Sequence, residues 1–519
     1  MIIFVYLQSS GRVMNIVGRR LNIKPVLIAS ILLLAAFLVF LGFYGPSIDN
    51  SDNFLYVGYA HWVLVGGINI LPHGNALASN YFQIFGISLM DIIFKSTLLS
   101  AAAFEFLMLS GTIVVIYLIG KHLFGTLGGL LSSFAYAISP LLVIETKTVG
   151  DVVPMAFFVS LAMLLYLLHS DKKRGGAYLL LSGFVVTAGM LVVYLSLLIF
   201  PTILILIVAE HMFIRKEHPL LAFTKDVSLF AAGILLGIMA LVLTTYVATG
   251  GISEPFILFM GYFSQLKQSL PYNPLAIYLS WLFGHYSFNG IYGPIMVHYL
   301  LVTTILTMVF GFYLLKKALI PAVWIFTTLL LLSAITSSAT IVPLERYIII
   351  FMPAISLVIG GGVAKLIVNS KSKFLKKRYL LAPIMKVAVI LIILVYSLIS
   401  TYTMVQADSV STAAYWNFMT AYRIAANESS ILYAPIGQLN ILQVYTNFSP
   451  NIQILSNISC GEIMRIANGS YVAIPINYNI TCGMPIVYYP NKSELVKEYG
   501  TLVGNGIYNK LVYVIKIVK

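Results

Sequence analysis

Acidic and basic side chains that could perform acid–base and phosphate chemistry occur in three short stretches of the chain. With only 17 acidic residues in 519, each such group is a candidate. A carboxylate within reach of a hydroxyl can accept its proton, and an arginine can bind a phosphate through two parallel hydrogen bonds. The candidates are Asp49 and Asp52 in "SIDNSDNFLYVGYAHWVLVGG" (47–67), Glu145, Lys147 and Asp151 in "IETKTVGD" (144–151), and Glu345 and Arg346 in "SSATIVPLERY" (337–347).

The elements that must position these groups are membrane helices. The chain is 60% hydrophobic and 9% charged, with a mean hydropathy of +0.95, whereas ordinary soluble domains carry roughly a quarter charged residues. Apolar windows of about 20 residues, long enough to cross a bilayer, recur along the chain. They predict an all-α polytopic membrane domain of about eleven spans: 25–43, 100–120, 125–143, 153–169, 177–195, 196–213, 227–248, 294–315, 318–336, 347–367 and 380–402.

Basic residues orient these spans. Of the lysines and arginines in the loops before residue 403, nineteen fall on one side of the membrane and four on the other. Because cytoplasmic loops carry the excess of positive charge, the N-terminus is predicted to be cytoplasmic. An odd number of spans then places the C-terminal segment outside. The net charge of +14 is then explained by the basic residues that orient the membrane spans. We therefore expect no nucleic-acid partner.

The segment after residue 402 supports this orientation. It contains all six N-x-S/T triplets found, which begin at Asn427, Asn447, Asn457, Asn468, Asn479 and Asn491. Such triplets are acceptors for N-glycosylation on the outer or lumenal face. The two cysteines of the chain, Cys460 and Cys482, lie in the same segment. There an oxidising compartment would permit a disulfide between them, although two free thiols are the alternative.

Two domains are therefore predicted. Residues 1–402 form the membrane domain, with the first apolar segment kept as a permanent helix because it is longer than a signal-peptide core and lacks a cleavage motif. Residues 403–519 alternate short apolar runs ("SYVAIPI", "KLVYVIKIV") with turn residues, which is typical of strands. "STAAYWNFMTAYRIA" (411–425) is interpreted as an amphipathic helix. The second domain is thus a small exofacial mixed α/β domain.

Structural interpretations of the charged residues remain open. Asp49, Asp52 and Asp151 each lie where they could cap the start of a helix. Arg346 could extend from the membrane to the interface, and Lys147 could pair with Glu145. Two carboxylates could also hold a divalent cation through their oxygens, so metal dependence is undecided.

Three stretches resemble the GT-C superfamily of membrane glycosyltransferases, above all its protein O-mannosyltransferase and lipid A aminoarabinose transferase-like branch. "DNFLYVGYAHWVLVGG" (52–67) is similar to the first outer-loop signature, with Asp52, Tyr56 and the paired glycines in place. "GKHLFGTLGGLLSSFAYAISPLLVIETKTVGDVVPMAFFVSLAMLLYLL" (120–168) resembles the next, in which Asp151 precedes a helix. "LERYIIIFMPAISLVIGGG" (344–362) is similar to the late Arg-Tyr…Pro segment.

The resemblance implies an inverting transferase that uses a sugar carried on a polyprenyl phosphate. It implies that Asp52 is the base and that Asp151 positions the acceptor or tunes the site. Arg346 would bind the donor phosphate. One departure is that the usual acidic neighbour of the base is Asn53, so Asp49 is either a substitute for that acid or a helix cap. Tyr56, Glu145, Lys147, Glu345 and Tyr347 complete the predicted substrate-binding set.

We therefore expect a multi-pass enzyme of a plasma or ER-type membrane that transfers one sugar to an exofacial protein, lipid or glycan. One alternative is an oligosaccharyltransferase, although "YWNFMTAY" (415–422) lacks the WWDxG-like motif expected there. Another is a transporter or a scaffold with a glycosylated ectodomain. A transporter would carry polar broken helices at mid-depth, and the sequence contains no convincing pair of them.

Overall fold

The computed structural model describes residues 51–66, 80–147, 149–170, 175–213, 219–249, 273–285, 293–335 and 345–369, with short pieces between 399 and 517. The first part is helical. Its α-helices are α1 (Ser51–Gly66), α2 (Tyr81–Phe94), α3 (Thr97–Phe124), α4 (Thr126–Ala137), α5 (Pro140–Lys147), α6 (Val152–Ser170), α7 (Ala177–Ala188), α8 (Ile199–Phe213), α9 (Pro219–Thr249), α10 (Pro274–Leu282), α11 (Gly293–Leu314), α12 (Leu319–Ile335) and α13 (Met352–Asn369).

Nine of the eleven predicted spans coincide with helices of this bundle. Within the described ranges, five helices are long and apolar enough to cross a membrane: α3, α6, α8 with the 3-10 turn before it, α9 and α11. The bent pair α4–α5 would make a sixth. The predicted spans at 177–195, 318–336 and 347–367 contain the shorter apolar helices α7, α12 and α13. The spans predicted at 25–43 and 380–402 lie outside the described residues.

The span predicted at 125–143 is not one straight helix. α4 ends at Ala137 and α5 begins at Pro140, and their axes differ by 60°. Proline has no backbone N–H and disfavours a helical conformation of the residue before it, so Ser139 interrupts the helix. As a result, Glu145 lies within α5, where the sequence predicted a loop.

Small residues allow several helices to pack closely, as is common in membrane bundles. A Cβ atom at Gly233 of α9 would collide with the carbonyl oxygen of Leu180 in α7, and one at Gly360 of α13 would collide with the backbone of Ser132 in α4. Buried hydroxyls add bonds between helices, since Ser182 Oγ donates to the Ala162 carbonyl at 2.8 Å. α3 in turn packs against α4, α6 and α13.

Helices also lie in regions that the sequence assigned to long loops. The segment 44–99 contains α1 and α2, which pack against each other and against the start of α3. α2 was missed because no apolar stripe marks its buried face. Its polar residues Gln83, Ser88 and Asp91 are buried, whereas its apolar residues Leu89, Ile92, Ile93 and Phe94 are exposed. α10 lies between the predicted spans 227–248 and 294–315.

Five short strands form one sheet after residue 430: β1 (Leu432–Pro435), β2 (Ile452–Leu455), β3 (Tyr471–Pro475), β4 (Ile486–Tyr489) and β5 (Val512–Ile517). Their order is β2-β1-β3-β5-β4. β1 is parallel to β2 and β3, and β5 is antiparallel to β3 and β4. The two alternating runs noted in the sequence form β3 and β5. The predicted glycosylation asparagines and both cysteines lie outside the described residues.

Candidate active site

The connection between α5 and α6 brings two acids together. Glu145 is in the last turn of α5 and is 1% exposed, and Asp151 directly precedes α6 and is 8% exposed. Between them, the Gly150 N–H donates to the Glu145 carbonyl at 2.9 Å. A Cβ at Gly150 would collide with the Glu145 carboxylate, so the chain turns directly against this acid. The turn is tight because Val149 has a positive φ of 62°.

A third acid, Glu105, completes what we call the acidic cluster (Glu105, Glu145 and Asp151). It lies in the third turn of α3 and is fully buried, close enough to the other two acids for electrostatic interaction. The amide of Gln83 from α2, also fully buried, donates to Glu105 Oε1 at 3.1 Å. Neither Glu105 nor Gln83 belongs to the site predicted from the sequence.

Arg346 is the cation that faces this cluster. It lies in a 3-10 helix (Glu345–Ile350) that contacts α5 and α6, and its guanidinium carbon is 5.6 Å from the ring centroid of Tyr347. Burial alone would lower the pKa of Arg346, but attraction to Asp151, Tyr347 and Glu145 raises it above its ordinary value. The guanidinium is therefore charged throughout the physiological pH range.

The Nε atom of this guanidinium is available to donate a hydrogen bond to a ligand. Nε of Arg346 is buried, and no acceptor within hydrogen-bonding distance of it occurs in the described part of the chain. A buried donor without an acceptor is costly, and an anionic oxygen would relieve that cost. The arrangement thus combines carboxylates that can bind or deprotonate a hydroxyl with a donor suited to a phosphate.

α1 carries Asp52 and Asn53 in its first turn and Tyr56 on its buried side, where Tyr56 is 3% exposed. Bonds to α2 hold this helix. Ser88 Oγ donates to the Ala60 carbonyl at 2.7 Å.

A second polar contact joins the same two helices. Nδ1 of His61 in α1 lies 3.5 Å from Oδ2 of Asp91 in α2, and Asp91 also accepts from Ser100 at 3.1 Å. His61 is thus part of the attachment of α1 to α2.

The structure therefore brings together Glu145, Asp151, Arg346 and Tyr347 of the predicted site. The side chains of Asp52, Asn53, Lys147 and Glu345, and all of Asp49, lie outside the described residues. The base assignment and the choice between Asp49 and Asp52 stay predictions. The described residues contain no group of three histidine, cysteine, aspartate or glutamate side chains that could hold a metal ion.

The chain is similar to known proteins in both sequence and fold. Residues 81–234 match the family described as dolichyl-phosphate-mannose-protein mannosyltransferase. These residues include α2, the acidic cluster and α6. No curated protein matches the chain by sequence.

Solved structures match nearly the whole fold. ArnT from Cupriavidus metallidurans bound to undecaprenyl phosphate superposes with a TM-score of 0.61 at 11% identity, covering 95% of this chain and 98% of that chain. Its apo form gives 0.58 at 11% identity, with 93% and 97% covered. The Archaeoglobus fulgidus oligosaccharyltransferase in its apo form gives 0.51 at 13% identity, with 88% and 70% covered.

The chain therefore has the fold of the integral-membrane glycosyltransferases of the GT-C superfamily, and the resemblance to that superfamily that was predicted from the sequence is confirmed.

Proposed function

We propose that the protein transfers a sugar from a polyprenyl-phosphate donor to a hydroxyl acceptor at the outer face of its membrane. The observation that carries the proposal is the pairing of Arg346 with the acidic cluster. A buried guanidinium donor without a described acceptor lies beside two acids. This arrangement offers one position for a phosphate oxygen and an adjacent one for a hydroxyl.

In the proposed reaction, the acceptor oxygen attacks the anomeric carbon of the donor sugar as the bond from that carbon to the phosphate oxygen breaks. The phosphate leaves with the bonding electron pair and is stabilised by Arg346. The carboxylate of Asp52 takes the hydroxyl proton, and Asp151 holds the acceptor. Because the nucleophile attacks opposite the leaving group, the anomeric configuration inverts.

The donor class is supported by two similarities. The family matched by residues 81–234 is described as acting with dolichyl-phosphate mannose, and the ArnT structure with the same fold holds undecaprenyl phosphate. We propose a lipid-carried sugar and an acceptor on a protein, lipid or glycan. A divalent cation is not required by the proposed steps.

The proposed topology follows from the charge distribution of the loops, with a cytoplasmic N-terminus and residues 403–519 outside the cell or in the lumen. Glycosylation of asparagines in the six N-x-S/T triplets and a disulfide between Cys460 and Cys482 belong to this proposal. An oligosaccharyltransferase has the same fold with 70% of its length covered. It ranks second because the expected WWDxG-like motif is absent from 415–422.

The test uses purified protein in lipid nanodiscs with undecaprenyl or dolichyl phosphate that carries a radiolabelled hexose. Serine/threonine peptides and glycolipids serve as acceptors. We expect label transfer by the wild type and a loss of at least about a thousandfold in Asp52→Asn, since the base is removed. Asp52→Asn with unchanged thermal stability and full activity would disprove the base assignment. Transfer only from a diphosphate-linked oligosaccharide would favour the second candidate, and no transfer from any donor would favour a transporter or scaffold.

A further inference from the structure

The side-chain amide of Gln83 forms a buried bridge between two elements of the candidate active site. Its Nε2 donates to Glu105 Oε1 at 3.1 Å and to the carbonyl of Val149 at 3.2 Å. An amide nitrogen has two hydrogens, so both are used and the side chain has one orientation. Gln83 is fully buried, and water does not compete for these bonds.

The bond to Val149 holds a strained residue. Val149 has a φ of 62°, a left-handed conformation that a β-branched residue rarely adopts. Such a conformation persists only where the surroundings stabilise it. Val149 is itself fully buried, so the hydrogen bond from Gln83 and the packing of its side chain act together on this one peptide.

The position of this peptide determines the position of Asp151. Only Gly150 separates the two residues, and its N–H is fixed by the Glu145 carbonyl at 2.9 Å. Asp151 directly precedes α6, and its carbonyl accepts a hydrogen bond from the Met155 N–H at 3.3 Å. A change in the Val149 peptide would therefore rotate the Asp151 carboxylate away from Arg346.

Glu105 gives Gln83 its orientation. The carboxyl oxygen Oε1 accepts one amide hydrogen, which leaves the second hydrogen directed at Val149. Because an amide oxygen accepts the same bond, this role depends on the acceptor atom and not on the charge of Glu105.

We propose that Gln83 and Glu105 are positioning residues that place Asp151 for binding of the acceptor. This inference rests on the proposed function. Gln83 and Glu105 act through the connection between α5 and α6 and touch neither substrate. Their effect should therefore fall on the acceptor and leave binding of the donor at Arg346 unchanged.

The principal variant is Gln83→Met, which keeps the length of the side chain and removes both donated bonds. We expect kcat/KM for the acceptor that the wild type uses best to fall about tenfold, as for the loss of one to two buried hydrogen bonds. The KM for the polyprenyl-phosphate hexose should stay within about twofold, a range below the size of one hydrogen bond. Glu105→Leu should behave like Gln83→Met, and Glu105→Gln, which retains an acceptor oxygen, should lose clearly less.

Thr112→Val is the matched control, because Thr112 is a fully buried polar residue of α3 whose hydroxyl donates to the Met108 carbonyl of its own helix at 2.8 Å. Equal losses for donor and acceptor, or an unchanged acceptor kcat/KM in Gln83→Met, would overturn the inference. If Gln83→Met does not fold, the comparison of Glu105→Gln with Glu105→Leu decides, and equal activities of these two would overturn it.

A measurement independent of activity separates this inference from the proposed function. Hydrogen exchange of the amides at 149–153 should be faster in Gln83→Met than in the wild type and unchanged in Thr112→Val. If the wild type transfers no sugar, the proposed function fails while accelerated exchange still supports the bridge. Unchanged exchange overturns the bridge whatever the activity.

Discussion

Gly150 lies directly against the carboxylate of Glu145, so close that any side chain at position 150 would overlap Oε2. The same glycine donates its N–H to the Glu145 carbonyl at 2.9 Å. These two contacts fold the end of α5 back onto its own last turn, and they set the distance between Glu145 and Asp151. The acidic cluster therefore depends on a residue that has no side chain.

Gly150→Ala should displace the Glu145 carboxylate and lower transfer activity by about tenfold or more. Overpacking of a tightly packed site typically costs about 1–3 kcal/mol of stability, measurable as a lower Tm. Gly175→Ala is the matched control, since Gly175 also precedes a helix and has open space around it. Equal effects of the two substitutions would show that the contact with Glu145 is unimportant.

Arg346→Ala should raise the KM for the polyprenyl-phosphate donor more than the KM for the acceptor, because the phosphate would lose its charged donor. Arg346→Lys should recover only part of the donor affinity, since an ammonium group cannot form two parallel bonds to a phosphate. Steady-state kinetics with each substrate varied in turn provide the test. A larger effect on the acceptor would remove Arg346 from the phosphate.

The raised pKa of Arg346 makes a separate prediction about pH. Attraction to Asp151, Tyr347 and Glu145 exceeds the opposing effect of burial, so the guanidinium stays protonated well above neutral pH. Raising the pH from about 7 to about 9, still far below the ordinary pKa of an arginine side chain, should leave the donor KM of the wild type unchanged. A steep loss of donor affinity over that range would show that another group binds the phosphate.

A second cluster of polar side chains lies away from the candidate active site, and we expect it to contribute to the stability of the protein but not to sugar transfer. Asp226 Oδ2 lies 2.9 Å from His211 Nε2 and 3.2 Å from His169 Nε2, and the three side chains are buried. They join α9, α8 and α6 at the far end of α6 from Asp151. Asp226→Ala should lower stability by about 1–3 kcal/mol, the cost of leaving a buried histidine without its hydrogen-bond partner.

The measurement for Asp226→Ala is thermal unfolding in nanodiscs together with transfer activity below the transition. Thr224→Ala is the control, because Thr224 lies on the same helix and its exposed hydroxyl bonds within that helix. Activity per folded molecule should equal that of the wild type. Lost activity in a fully folded Asp226→Ala protein would connect this cluster to the reaction.

Much of the helical architecture was predictable because the bilayer imposes a length and a composition on each span. The helices α3, α6, α9 and α11 follow directly from uncharged windows in the sequence. α2 and the break at Ser139 were harder to predict from the sequence, because a short apolar helix and a span interrupted by proline have the same apolar composition as a continuous span. Whether such a segment forms a short helix or a broken span depends on the helices that it packs against.

For the site, the scarcity of charge in the sequence was enough to select Glu145, Asp151 and Arg346, since ionisable groups in a membrane protein are rarely present without a function. The sequence by itself determined that these groups exist and that they fall on one side of the spans. Only the tertiary structure decided that Glu105 joins them and that Gln83 links Glu105 to Val149. These contacts join α2, α3 and the α5–α6 connection, and the bonds of Gln83 span 22 and 66 residues of sequence. No local pattern encodes such distances, because they arise only when the helices pack.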